Sequence, residues 1–301
     1  MDVMVRPEPQ MMTRERGIVT IRPAALADGL ECGRICYEAF ATVAIRHGFP
    51  PDFPTVDAAT EPILNLIRHP GFHGVVAEAE GRIVGSSFLD ERSLISAIGP
   101  VTVDPDAQDL GVGRALMGAM LDRVAETGAP GVRLVQIAYH NRSLSLYAKL
   151  GFDVKATLAA MYGAPVGIHL RGYAVRRATA SDLGECNALC IRVHGFDREL
   201  ELCEAIDAGL AQVVERLGRI TGYTAGVNYW SHSVAETSDD LKALIGAARD
   251  YGTPGFLVPV ANGELFRWCL GQGLRVFFVT NLMSVGCYQE PQGAWFPSVG
   301  Y

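Results

Sequence analysis

Val101 to Ala115 reads VTVDPDAQDLGVGRA, in which a strand, a glycine-bearing loop and a helix start follow one another. The apolar alternation from Ile98 to Val103 predicts the strand, and Arg114 to Thr127 carries helical spacing. Between them lies Gln108-x-x-Gly111-x-Gly113. That order of elements builds an anion site, because the first N–H groups of a helix lack partners and the helix dipole adds positive charge there. Gly111 and Gly113 permit backbone conformations and close approaches that a side chain would obstruct. A Walker loop would end in Gly-Lys-Ser/Thr, but Gly113 is followed by Arg114-Ala115, so a nucleoside triphosphate is excluded. A dinucleotide fingerprint would want Gly or Ala where Leu116 stands.

The stretch resembles motif A of the GNAT superfamily, the acetyl-CoA-dependent N-acetyltransferases, whose pattern is Gln/Arg-x-x-Gly-x-Gly/Ala. Downstream, Asn141-Arg-Ser-Leu-Ser-Leu-Tyr147-Ala-Lys-Leu-Gly151-Phe152 looks like that family's second hallmark, Asn-x-x-Ser-x-x-x-Tyr-x-x-x-Gly-Phe. Two motifs in the right order and at a family-like separation make the match specific. The resemblance implies a mixed α/β fold with a twisted, largely antiparallel sheet, and a cofactor site in which Val101 and Val103 pair by main chain with the pantetheine arm. It further implies that the backbone of Gln108, Asp109, Leu110, Gly111, Val112, Gly113, Arg114 and Ala115 holds the pyrophosphate. Asn141 would contact the cofactor and Tyr147 would protonate the departing thiolate. The bare residues leave alternatives open: a Tyr between Leu144 and Leu150 at helical spacing can be a core residue, and Asn141 can simply start its helix.

Upstream, Ile18 to Arg22 predicts a short strand, and Asp28 a cap for a helix with Leu30, Ile35, Ala39 and Phe40 on one face. A second helix is expected at Val56 to Arg68. Gly74 to Ala79 and Arg82 to Asp90 read as a hairpin turning at Glu80-Gly81, and Val132 to Ala138 as a strand buried on both faces. After Gly167 the pattern returns. Ile21-Arg22-Pro23-Ala24 is echoed by Val175-Arg176-Arg177-Ala178, Glu31-Cys32 and Cys36 by Glu185-Cys186 and Cys190, and Leu158-Ala-Ala-Met161 by Thr280-Asn-Leu-Met283. Asn141 to Phe152 returns as Asn262 to Leu274 with one residue inserted.

The expectation is two tandem copies of one fold: a tail at residues 1–16, an acetyltransferase domain at 17–167 and a degenerate GNAT-like domain at 168–301. In the second copy Thr237-Ser238-Asp239-Asp240 opens the helix where the glycine loop should be, and acids there repel a diphosphate. Trp268 replaces Tyr147, and an indole cannot protonate a thiolate as a phenol can. The second copy is therefore expected to wall the substrate groove, stabilise the first copy or bind something of its own.

The chain has 301 residues, 49% of them hydrophobic, and a net charge of −7, which argues against a general nucleic-acid partner and is compatible with a cationic amine. Seven cysteines, none in C-x-x-C spacing, suggest neither a disulfide framework nor a metal site. With no signal peptide and no run of eighteen apolar residues in view, the expectation is a cytoplasmic protein without a membrane partner; a homodimer stays open. The expected reaction is direct attack of a primary amine on acetyl-CoA in a ternary complex, without metal and without a covalent enzyme intermediate. A strand position that often holds a base in the family falls near Gly99-Pro100, so the candidate bases are Asp90, Glu91, His140 or a water chain. The rival reading is a non-catalytic acyl-CoA-binding sensor or scaffold.

Overall fold

The computed structural model describes residues 19–300; the expected tail at 1–16 and Ile18 lie outside them. The first copy runs β1 (Thr20–Pro23), α1 (Gly29–Arg46), α2 (Val56–Arg68), β2 (Phe72–Ala79), β3 (Arg82–Asp90), β4 (Ser96–Val103), α3 (Val112–Thr127), β5 (Gly131–Ile137), α4 (Asn141–Lys149) and β6 (Asp153–Tyr162). The second runs β7 (Ala174–Arg177), α5 (Leu183–His194), α6 (Glu199–Asp207), β8 (Gln212–Arg216), β9 (Arg219–Thr224), β10 (Ser233–Ala235), α7 (Ser238–Ala247), β11 (Phe256–Pro259), α8 (Gly263–Gly271), β12 (Arg275–Gly286) and β13 (Ala294–Phe296). The third helix begins at Val112, two residues before the predicted start, because Gly111 takes the left-handed conformation (φ 86°) that turns the chain into it.

The echoed sequences correspond to repeated contacts. Arg22 donates to Asp28 (2.7 Å) and Glu78 (2.9 Å), and Arg176 to Asp182 (2.7 Å) and Glu215 (2.8 Å). In each copy the aspartate also accepts the backbone N–H three residues earlier, from Ala25 or Thr179, so it ties the first helix to the first strand. Asp28 thus serves the turn before α1 and makes no side-chain cap to α1 itself. Leu30 is 73% exposed rather than part of the core face. The paired cysteines 32, 36, 186 and 190 are all buried, as small core residues.

Residues alternate between the two faces of the first sheet. Val75 and Ala77 pack with Leu116, Met117 and Met120 of α3. Val76 and Phe88 pack with Cys32 and Cys36 of α1 and Ile63 of α2 on the other side. Fully burying each large apolar side chain contributes about 1.5–3 kcal/mol. Gly33 lets α1 and α2 touch, since a Cβ there would lie 2.6 Å from the Cα of Thr60. That contact fixes the loop joining the two helices.

The sheets do not divide where the repeat does. One is ordered β1-β2-β3-β4-β5-β12-β6-β11 and the other β13-β10-β9-β8-β7. Thus β12, from the second copy, lies between β5 and β6 of the first, and β6 lies between β12 and β11 of the second. The two copies exchange their sixth strands.

Candidate functional site

The parallel strands β4 and β5 pair only at Ser96 with Val132 and Ala97 with Arg133, then part. Between Ile98, opposite Leu89, and Val101, opposite Ser87, β4 carries one residue more than β3, a bulge at Gly99-Pro100. The wedge so opened is a cleft of about 1100 Å³ that runs from the α3 and α4 face to the α1 and α2 face.

On the α3 and α4 face, Val101, Val103, Gln108, Asp109, Gly111, Val112, Gly113, Arg114, Asn141 and Tyr147 all line this cleft. Leu110 instead packs against the first core, and the Ala115 N–H is already used by the Gly111 carbonyl at 3.0 Å. The N–H groups of Val112, Gly113 and Arg114 make no backbone hydrogen bond among the described residues, and the helix has no side-chain cap and no acid in its first turn. These groups form a donor cradle suited to a diphosphate.

Asp109 in the loop is offset by a residue that the motif reading overlooked. Arg142, at the start of α4, donates to Asp109 Oδ1 (2.5 Å) and Gln108 Oε1 (3.2 Å). It puts a cation beside the loop without belonging to it. Tyr147 is 9% exposed, packs against Phe152 and the α3 side chains, and still reaches the cleft; its hydroxyl makes no hydrogen bond among the described residues. Burial pushes its pKa up to about 12, so it stays a neutral proton donor across the working range.

The candidate bases fare differently. Asp90 lines the cleft but is bound to Arg92 at 2.6 Å, and Glu91 is bound to Arg123 of α3 at 2.7 Å. His140 lines the cleft and is held below its ordinary pKa by burial, then by Arg142, His47 and Arg46. On the α1 and α2 face the structure adds Asp52, from the loop between those helices. Asp52 is exposed, yet the walls around it partly desolvate its carboxylate and push its pKa up to about 6.

Among the described residues the second copy closes the corresponding place. Its wedge between β10 and β11 is filled by β13, which pairs antiparallel with β10, Val234 opposite Trp295, and contacts β11. At α7, the Thr237 hydroxyl accepts the Asp240 N–H while Asp240 returns a bond to the Thr237 N–H. Asn262, the counterpart of Asn141, accepts from the Leu265 N–H (3.1 Å) and donates to the Ser238 hydroxyl (3.1 Å). Asn141 does neither and makes no side-chain hydrogen bond among the described residues. The Asp240 N–H and the Asn262 side chain are thus engaged internally in the second copy, whereas Asn141 and the N–H groups of Val112 to Arg114 are not in the first.

A sheet whose fourth and fifth strands part beside an uncapped helix start, repeated once in altered form, defines a tandem GNAT fold. Residues 42–152 match the acetyltransferase (GNAT) family. Over 91 residues it is 34% identical to a mycothiol acetyltransferase of Thermomonospora curvata, and the alignment covers 30% of this chain and 30% of that protein. Among solved structures, a candidate acetyltransferase of Pyrococcus horikoshii superposes with a TM-score of 0.68 at 15% identity, covering 98% of this chain and 99% of that one. A GCN5-related N-acetyltransferase of Sphaerobacter thermophilus gives 0.61 at 16% identity over 92% of this chain and 98% of the other. A tandem GNAT protein from the clavulanic acid biosynthesis pathway gives 0.56 at 13% identity over 89% and 98%. At these identities the structural likenesses establish the fold alone.

Proposed function

We propose that the protein transfers the acetyl group of acetyl-CoA to a primary amine in a ternary complex, using the cleft of the first copy alone. The observation that carries this reading is the contrast between the two wedges: one open, with free N–H donors and a phenol, the other filled by β13, with a capping box closing its helix start and Asn262 tied to Ser238. The residues fit the cofactor. Val112, Gly113 and Arg114 offer N–H groups to a diphosphate, Arg114 and Arg142 add positive charge, and the bulged edge of β4 offers main chain to an extended amide arm. Acetyl-CoA supplies an acyl group activated as a thioester. Tyr147 donates the proton that the departing sulfur needs. The second copy walls the groove, through Tyr229 and Trp230 between β9 and β10 and through Val299, whose N–H bonds to the Tyr229 carbonyl at 2.8 Å.

A second reading, an acyl-CoA-binding sensor without turnover, draws on the engagement of Asp90 and Glu91 in ion pairs. The deciding experiment is a calorimetric titration with acetyl-CoA of wild type and of Gly113→Glu, followed by thiol release with an amine panel. One site per chain, lost in the variant, with thiol release above background, supports the transferase. Binding without release on any amine leaves the sensor, and no binding at millimolar acetyl-CoA overturns both.

A further inference from the structure

The α1 and α2 end of the cleft has a composition of its own. Phe40 of α1 stands 6.3 Å from Phe53, Phe53 stands 6.4 Å from Trp230, and Trp230 stands 5.6 Å from Tyr229, all between ring centroids. Four rings thus form a continuous wall that crosses from the first copy to the second. Tyr139, stacked on Phe49 at 4.6 Å, faces them across the cavity. Asp52, exposed at the same end of the cleft and next to Phe53, is near enough to Tyr139 and Tyr229 to raise their pKa, and it makes no ion pair or side-chain hydrogen bond among the described residues.

The other charges that line the cleft are engaged or remote. Asp90 is held by Arg92, Glu201 by Arg198 and His232, and Asp109 by Arg142, while Arg114 and Lys149 come from the helices of the opposite face. An unpaired carboxylate beside an open aromatic wall has a definite complement. The carboxylate attracts a cation, the ring faces stabilise it, and the ring surfaces bury an apolar body.

We propose that Asp52 and the rings around it are the acceptor site, and that the acceptor is a monoammonium compound with an aryl or alkyl body. A polyamine would leave its further charges against aromatic surface, and an amino acid would bring a carboxylate to apolar walls, since the unpaired cations among the described cleft-lining residues, Arg114 and Lys149, belong to the opposite face. The inference rests on the acyl-transfer reading and specifies its acceptor.

Asp52 also serves the chemistry. An ammonium nitrogen cannot attack until it has lost a proton, and the Asp52 carboxylate takes it. The freed nitrogen pair forms the C–N bond to the thioester carbonyl carbon, and the C–S bond breaks with its pair on sulfur. The thiolate takes a proton from Tyr147, which is reprotonated by the second proton leaving nitrogen. Asp52 releases its own to solvent, so an ammonium and a thioester become an amide, a thiol and one proton. The raised pKa of Asp52 suits a base working near neutrality.

The test is calorimetric titration of the full chain, as wild type and as Asp52→Asn, with phenethylamine, spermidine and glycine, each alone and with acetyl-CoA run separately. Phenethylamine is expected to bind wild type more tightly than the other two and to lose about tenfold or more in Asp52→Asn, with acetyl-CoA affinity unchanged. In thiol-release assays, kcat for phenethylamine should fall in Asp52→Asn even at saturating amine. Absence of phenethylamine binding, equal binding to the variant, or tighter binding of spermidine or glycine overturns the inference. Each of these outcomes is independent of the acetyl-CoA titration, so a protein that binds acetyl-CoA but not phenethylamine refutes the acceptor assignment and spares the transferase reading.

Discussion

Leu158 of β6 lies directly opposite Thr280 of β12, and the two residues hold equivalent places in the two copies of the repeat. The neighbouring pairs obey the same exchange: Tyr162 faces Arg275 as Asp153 faces Ser284, and Ile137 faces Thr280 as Pro259 faces Leu158. A local two-fold axis therefore passes through the Leu158–Thr280 pair. Each copy supplies the strand that completes the other, so the second copy is needed structurally whatever its chemistry.

That arrangement predicts cooperative unfolding. Leu282 of β12 is fully buried with Leu158, Leu257 and Phe278, and Leu282→Ala should cost about 2–5 kcal/mol. Scanning calorimetry should give one transition for both copies, shifted down as a whole; two separate transitions would refute the shared core.

Tyr147→Phe keeps the ring that packs against Phe152 and removes the hydroxyl at the cleft. Turnover is expected to fall by about tenfold or more, with acetyl-CoA affinity within about twofold of wild type. A loss of affinity with turnover preserved would make Tyr147 a packing residue.

Asn141 and Asn262 should separate binding from stability. Asn262→Ala removes a helix cap and the tie to Ser238, and should lower stability by about 0.5–2 kcal/mol without touching acetyl-CoA binding. Asn141→Ala, which removes no hydrogen bond among the described residues, should leave the denaturation midpoint nearly unchanged and weaken acetyl-CoA. Paired denaturant melts and titrations check both.

The pH dependence follows from Asp52. The groups facing it are Cys36 of α1, Tyr139 after β5 and Tyr229 after β9, all raised by burial above their ordinary pKa and uncharged near neutrality. Activity that needs the Asp52 carboxylate should rise with pH through about 6, and Asp52→Asn should remove that limb of the kcat/KM profile. Stability should run the other way. The folded pKa lies above the unfolded value of 3.8, so the folded state holds the proton more tightly between these values. The contribution of Asp52 is therefore full below about 4 and lost as pH rises through about 6, and Asp52→Asn should melt above wild type at pH 7 but not at pH 3.5.

What could be read along the chain was local. The glycine loop, the hairpin of β2 and β3 and the α4 helix depend on residues a few positions apart, and they form close to the expected positions. The exchange of β6 and β12 depends on edge hydrogen bonds between segments more than a hundred residues apart, and no spacing within either strand encodes it. Asp52 follows two prolines in a loop without periodicity, and its environment is supplied partly by Tyr229 and Trp230 of the other copy. Asp90 and Glu91 look available in sequence, yet Arg92, two residues on, folds back on Asp90, and only the fold brings Arg123 of α3 against Glu91. Leu30 fits an apolar helix face on paper, but it falls in the first turn of α1 and projects into solvent.

The place of β12 between β5 and β6 also has a temporal meaning. A ribosome releases β5 and β6 long before Arg275–Gly286 emerges, and until then both strands present bare hydrogen-bonding edges. The wedge beside β5 cannot be finished while the second copy is still being made. The half that carries the cleft of about 1100 Å³ is therefore completed only after the other half has been synthesised, and the interval exposes it to mispairing and to whatever chaperones guard nascent strands.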